Sequence, residues 1–241
     1  MWQWLRTLFF PVRCIRCGLY DCGAICRNCL TQLPRFVPPL CSSCGTSKEF
    51  HYSVHCIAGS RQLNRVICVS PYAGNVRAAI QKLKYRRPGN LGETLGEFMV
   101  EYARSLGDVE LPDVVVPVPL HPQRERKRGY NQAVILGAAV AAGLGAQLDT
   151  SALSRKRDTF PQWRLSRRQR GANVRGAFAC GPSFSGAHVL LVDDIITTSA
   201  TVNECASVLR RAGAKRVDAF ALARDLVLDS EHIDRREQRH V

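Results

Sequence analysis

Residues 188–202 read HVLLVDDIITTSATV. The aliphatic run Val189 to Val192 suits a strand buried on both faces, as in a parallel sheet. Asp193 and Asp194 close it, and Thr197, Thr198, Ser199, Ala200 and Thr201 lead into the helical pattern of TVNECASVLRRAGA (201–214). Strand, acidic pair, hydroxyl loop and helix put that loop at the carboxyl end of a parallel strand, where open α/β sheets bind ligands. Backbone N–H groups of the loop and the helix N-terminus would face a phosphate. The two aspartates would stand one step away. There they can accept hydrogen bonds from ribose hydroxyls, directly or through a magnesium ion held largely by substrate oxygens. The plain alternative is an acidic turn with Thr201 as the helix N-cap. Adjacent carboxylates repel each other, so a ligand accounts for the pair better than a turn.

Outward from this stretch the pattern alternates strand and helix. RVICVSPY (65–72) reads as a strand, and NVRAAIQKLKY (75–85) keeps Val76, Ala79, Ile80 and Leu83 at helical spacing. GNLGETLGEFMVEYARSL (89–106) reads as a second helix with Leu91, Leu95, Phe98 and Tyr102 on one face. DVVVPVPL (113–120) is a buried strand that Pro117 and Pro119 must end. A basic loop, HPQRERKRG (121–129), leads to the alanine-rich helix YNQAVILGAAVAAGL (130–144), closed by Gly143. The segment from Leu153 to Arg175 is arginine-dense and irregular, and RVDAFALAR (216–224) is a further strand. This order argues for a parallel sheet with helices on both faces. The tail 229–241 is charged.

A chain of 241 residues holds one sizeable α/β domain plus a small appendage. Its 46% hydrophobic and 22% charged residues exclude a disordered chain. The formal net charge of +14 favours polyanionic partners: nucleic acid, a phosphorylated substrate or an acidic surface. The opening MWQWLRTLFFPVR carries Arg6 before Pro11 and falls far short of the about 20 apolar residues a membrane span needs, so we expect no transmembrane segment. A short amphipathic helix on the body or on a membrane surface fits it better. With no evident secretory signal, we expect a reducing, cytoplasmic compartment.

Eight of the 11 cysteines lie between Cys14 and Cys56. In a reducing compartment, clustered cysteines read as metal ligands before disulfides. Cys14-x2-Cys17 and Cys26-x2-Cys29 supply two knuckles and a complete tetrahedron, the pattern of a structural zinc with no open position for catalysis. A second half-site begins at Cys41-x2-Cys44, where Cys56 and His55 would complete a Cys3His set, or the site has decayed. We expect a metal-supported module at 12–60, the main domain at 61–228 and the tail beyond.

The stretch quoted first resembles the 5-phosphoribosyl-1-pyrophosphate (PRPP) motif of type I phosphoribosyltransferases, except that Ser199 stands where that motif carries glycine. KLKYRRPGNLGETLG (82–96), VPVPLHPQRERKRGYNQA (116–133) and LSRKRDTFPQWRLSRRQRGANVRGAF (153–178), behind the paired CxxC motifs, resemble the hallmark segments of the ComF family, which includes the competence protein ComFC and GntX. That resemblance spans nearly the whole chain; in the Cys-rich part Gly59 stands where the Cys56 knuckle would end. It implies a type I phosphoribosyltransferase fold, with Asp193 and Asp194 at ribose and magnesium and Thr197 to Thr201 around the 5-phosphate. It also implies that Arg124, Arg128 and Gly129 bind pyrophosphate, and that Arg155, Arg157, Gln162, Arg170 and Asn173 belong to a mobile hood. Lys84 and Tyr85, the family's Lys-Tyr pair, point into the cleft or cap a helix.

Two functions stay open. One is a PRPP-dependent transferase whose acceptor the sequence does not name. The other is a non-catalytic protein of the same fold that binds single-stranded DNA or competence proteins during DNA uptake. The basic segments hold few stacking aromatics beyond Phe160 and Trp163, which speaks against a dedicated single-strand groove.

Overall fold

The computed structural model describes residues 13–20, 24–50, 62–85, 90–157, 173–181 and 183–226. Its frame is a five-stranded sheet, every pair parallel, in the order β1-β7-β6-β2-β3. The strands are β1 (Arg65–Pro71), β2 (Val114–Pro117), β3 (Gln147–Leu148), β6 (His188–Ile196) and β7 (Arg216–Arg224). Two further strands, β4 (Leu153–Arg155) and β5 (Phe178–Cys180), pair antiparallel as a separate ribbon.

Alternate residues of each strand feed different cores, as the two-residue period of a strand requires. Val115, Leu190, Val192, Phe220 and Leu222 face one side, where they meet α2 (Gly74–Tyr85), α3 (Leu91–Ser105) and α5 (Gln132–Leu144). Val116, Val189, Leu191, Ala219 and Ala221 face the other, against α6 (Ala200–Arg211) and the ribbon. Burial on both faces explains why these strands read as continuous aliphatic runs.

The expected helices form, with three differences of local chemistry. The basic run after β2 is a helix, α4 (Pro122–Arg128), rather than a loop. His121 caps it through a side chain that accepts from the Gln123 N–H, Pro122 opens its first turn, and Gly129 ends it at φ 84°. Helix α5 runs past Gly143 to a left-handed Gly145. Gly143 is interior because a Cβ there would lie 2.5 Å from a Val100 methyl, so its small size serves the α3–α5 contact. Leu153–Arg155, read as irregular, is a strand because its partner Phe178–Cys180 lies far off in sequence.

The Cys-rich segment packs against the sheet and its helices. Its short helix α1 (Arg27–Thr31) and Ile25, Cys26, Cys29 and Leu33 join the core over α3. The Phe36 N–H donates to Val69 O at 2.8 Å, Val66 N–H to Ser42 O at 2.7 Å, and Tyr102 Oη to Phe36 O at 2.8 Å. The segment thereby covers the edge of β1, which would otherwise be open to another strand. No helix among the described residues is long and apolar enough to cross a membrane.

Candidate functional site

The sheet changes winding direction between β2 and β6: β3 follows β2 on one side, and β7 follows β6 on the other. Such a switch point opens a crevice at the carboxyl ends of the strands, and Asp193 and Asp194 stand at its lip on β6. A small cleft lies beside Asp193, lined also by Ile196, Thr197, Ser199, Ala200 and Thr201.

Ser199 shapes the loop. At φ 61° it is the one non-glycine residue with positive φ among the described residues, and it stands at the N-cap position of α6 without a capping side-chain bond. The N-cap is therefore Ser199 rather than Thr201, and its hydroxyl is used elsewhere. Ser199 Oγ accepts a 2.8 Å hydrogen bond from Arg224, the last residue of β7, which is 4% exposed. The backbone N–H groups of Thr198, Ser199 and Ala200 meet no acceptor among the described residues, and Thr198 Oγ1 is buried without a partner. Unsatisfied donors at a left-handed bend, a helix N-terminus and a buried guanidinium converge where an anion would satisfy all three.

Asp194 has a different environment. Its carboxylate pairs with Lys84 Nζ at 2.5 Å and accepts from Gln132 Nε2 at 3.3 Å. Burial pushes its pKa up, but the Lys84 ammonium overrides this and holds it below the usual carboxylate range. The same carboxylate raises Lys84 against the opposing pull of burial. Asp193 accepts the Asp194 N–H at 2.8 Å and feels the Lys84 charge only as a minor opposing influence. Burial first, and then the neighbouring Asp194 charge, push its carboxyl well above the ordinary 3.8. The pair thus divides into a neutralised carboxylate and a strained one, and the strained one lines the cleft.

The other expected residues fall in three groups. Arg128 of α4 donates to Gln132 Oε1, so a contact chain links the basic helix to Asp194, while Arg126 and Lys127 are exposed. Arg124 is half-buried on the same helix, which Gly129 ends. Arg155 lies over the Phe178 ring at 5.4 Å, within electrostatic reach of the buried Cys205, which Asp193 also influences. Arg157 donates to the Asn173 and Arg175 carbonyls at 3.4 and 2.6 Å, which ties together the two stems of the intervening segment. Gln162, Arg170, His55 and Cys56 lie outside the described residues.

Cys14, Cys17, Cys26 and Cys29 gather with all four sulfurs within 4.8 Å of one another. Burial raises the Cys14 thiol, but the backbone N–H groups of Cys17, Cys26 and Arg16 outweigh it and bring it to about 6. Burial and the other three sulfurs push Cys29 up to about 12. Four sulfurs this close offer a metal ion a complete ligand set, and a tetrahedral thiolate set suits zinc. Cys41 and Cys44 repeat the knuckle bond for bond. Cys14 N–H donates to Leu19 O and Gly18 N–H to Cys14 O, just as Cys41 N–H donates to Thr46 O and Gly45 N–H to Cys41 O. Gly18 and Gly45 take φ of 74° and 73°.

Comparison with known proteins fits this geometry. The Phosphoribosyl transferase domain matches residues 131–237. Competence protein F of Haemophilus influenzae is 30% identical over 228 residues, covering 90% of this chain and 98% of that protein. The chain belongs to the ComF family. DNA utilization protein YhgH of Escherichia coli is 33% identical over 84% of this chain and 91% of its own length. Competence protein ComFC of Bacillus subtilis is 26% identical over 83% and 84%. Within this ComF chain, sequence reasoning missed Arg224 and Gln132. Gln132 sits inside the RGYNQA segment, and Arg224 announces itself only as a charged residue closing a buried run.

Two outcomes follow for this ComF-family chain. A carboxyl whose folded pKa is raised stabilises the fold below its ordinary value and loses that contribution as pH climbs through the raised value. Asp193→Asn should therefore melt at a higher temperature than the parent at pH 7 to 8, with the gap closing as pH falls towards 4; an Asn variant no more stable at pH 8 would contradict the assignment. Metal analysis of protein purified without chelator should return at least about one equivalent of zinc. Cys26→Ser should lose that metal and melt lower, whereas metal-free protein of unchanged stability would refute the site.

Proposed function

We propose that the chain binds PRPP with magnesium and transfers its phosphoribosyl group to an acceptor, in a role connected with DNA uptake or utilisation in the cytoplasm. The observation that carries this reading is the bend at Ser199, where the buried Arg224, the orphaned N–H groups and the start of α6 meet beside Asp193. An anion site at the end of the strand that carries two carboxylates matches a molecule that is both a phosphate and a diol. The names of the relatives, competence and DNA utilization, supply the cellular setting.

In the proposed reaction an acceptor atom forms a bond to the anomeric carbon as the bond from that carbon to pyrophosphate oxygen breaks. The acceptor's proton passes to solvent, and pyrophosphate leaves. The 5-phosphate would sit at Thr197 to Thr201, and Asp193 and Asp194 would accept from the ribose hydroxyls. Arg128, and Arg155 with the hood residues, would offer planar donor forks to the departing pyrophosphate. Hard carboxylate oxygens suit magnesium, which would supply neutralisation of the pyrophosphate charge. Charge stabilisation dominates such a displacement, so no side-chain nucleophile is needed.

The cysteine cluster has a structural part in this scheme: with zinc bound it holds the segment that covers β1 and α3. Calorimetry with PRPP and magnesium should show saturable binding that Asp193→Asn with Asp194→Asn abolishes. No heat with folded, zinc-loaded protein would remove PRPP as the ligand and leave a fold without its reaction.

A further inference from the structure

Tyr85 is the most exposed large apolar side chain among the described residues, at 80%. It is the last residue of α2, and the buried face of that helix is made by Val76, Ala79, Ile80 and Leu83. Tyr85 lies off that face, so core packing gives no reason for an aromatic ring there.

Its surroundings are nevertheless well held. Tyr130 Oη donates to the Leu83 carbonyl, fixing the last turn of α2 against the turn between α4 and α5. Lys84, the preceding residue, is bound to Asp194. The Arg128 guanidinium lies over the Tyr85 ring, 5.8 Å from its centre, and itself donates to Gln132 Oε1. Gln132 in turn donates to Asp194. The contacts close a ring: Tyr85 to Arg128 to Gln132 to Asp194 to Lys84 and back along the chain to Tyr85. An exposed aromatic is thus tied from two directions to the carboxylate pair, with a cation against part of its π surface.

We propose that Tyr85 is the stacking face of an acceptor subsite that takes a planar nucleobase. The inference rests on the transferase reading above for the word acceptor, but its geometry stands without it. A base on the open part of the ring would be sandwiched by dispersion on an aromatic whose position Arg128 fixes. Base–aromatic stacking accepts any base, because every base has a π face. The planar ring could arrive as a free base or as part of a single strand.

The test uses the full chain with zinc bound. Adenine, hypoxanthine and uracil are titrated in the presence of PRPP and magnesium, and an oligothymidylate single strand in their absence, with saturation-transfer NMR as the readout. The parent should bind at least one of these probes. Tyr85→Leu should weaken that binding about tenfold, and Tyr85→Phe should stay within about twofold, the signature of stacking rather than of the hydroxyl. Binding that needs PRPP and ignores salt identifies a free base, whereas binding that falls steeply with salt identifies a single strand. Equal affinity of Tyr85→Leu and the parent, or no probe bound by the parent, overturns the proposal. A separate PRPP titration keeps the two readings apart. PRPP binding with no dependence on the aromatic sinks the subsite alone, and aromatic-dependent strand binding without PRPP binding sinks the transferase reading while the stacking face stands.

Discussion

The site hangs on one hydrogen bond, from Arg224 to the hydroxyl of Ser199. A left-handed conformation costs an L-residue about 1–2 kcal/mol, so glycine is the usual occupant of such a bend. Ser199 takes φ 61° with a side chain, and that side chain is tied down by a guanidinium buried to 4% exposure. The bend ends β6, turns the N–H groups of Thr198 to Ala200 away from protein acceptors and starts α6. The sheet supplies the rigidity. Arg224 is in register with Ile196 on one side and Pro71 on the other, so its position follows from two parallel ladders rather than from the loop. Its one side-chain hydrogen-bond partner among the described residues is a neutral hydroxyl, which leaves most of the charge of Arg224 to act on whatever enters the loop.

The same sheet explains why the remaining groups converge. A switch in winding direction brings the end of β2, and with it α4 and the start of α5, beside the end of β6. Lys84 arrives from the end of α2 and Gln132 from the first turn of α5, and both reach Asp194. The division between the two carboxylates follows. Asp194 is neutralised by the chain itself, and Asp193 is left with burial and a like charge against it. A half-buried acid held well above its ordinary value costs stability, a familiar trade at ligand sites.

Much of this was legible in the sequence because it rests on local pattern. Aliphatic runs gave the parallel strands, and the spacing of Val76, Ala79, Ile80 and Leu83 gave the buried face of α2. The acids and hydroxyls after Val192 marked the loop, and CxxC spacing marked the four-cysteine cluster. What escaped depends on residues distant in sequence. The strand at Leu153–Arg155 exists through a partner some 25 residues on, as Ser154 pairs with Ala179. Arg224 matters only because β7 lies beside β6, which no local window records. The helix at Pro122–Arg128 was a different kind of miss: the segment read as a basic loop, yet its proline and glycine stand at the N1 and C-cap positions, where each favours a helix.

The central claim is that a buried arginine behind a left-handed serine makes the phosphate cradle. Phosphorus NMR of ribose 5-phosphate titrated into parent, Arg224→Met and Ser199→Ala proteins addresses it most directly. The account predicts a shifted, broadened resonance with the parent, with affinity about tenfold weaker for Arg224→Met and an intermediate loss for Ser199→Ala, in line with a charge-assisted hydrogen bond. A phosphate that binds all three proteins equally would contradict it.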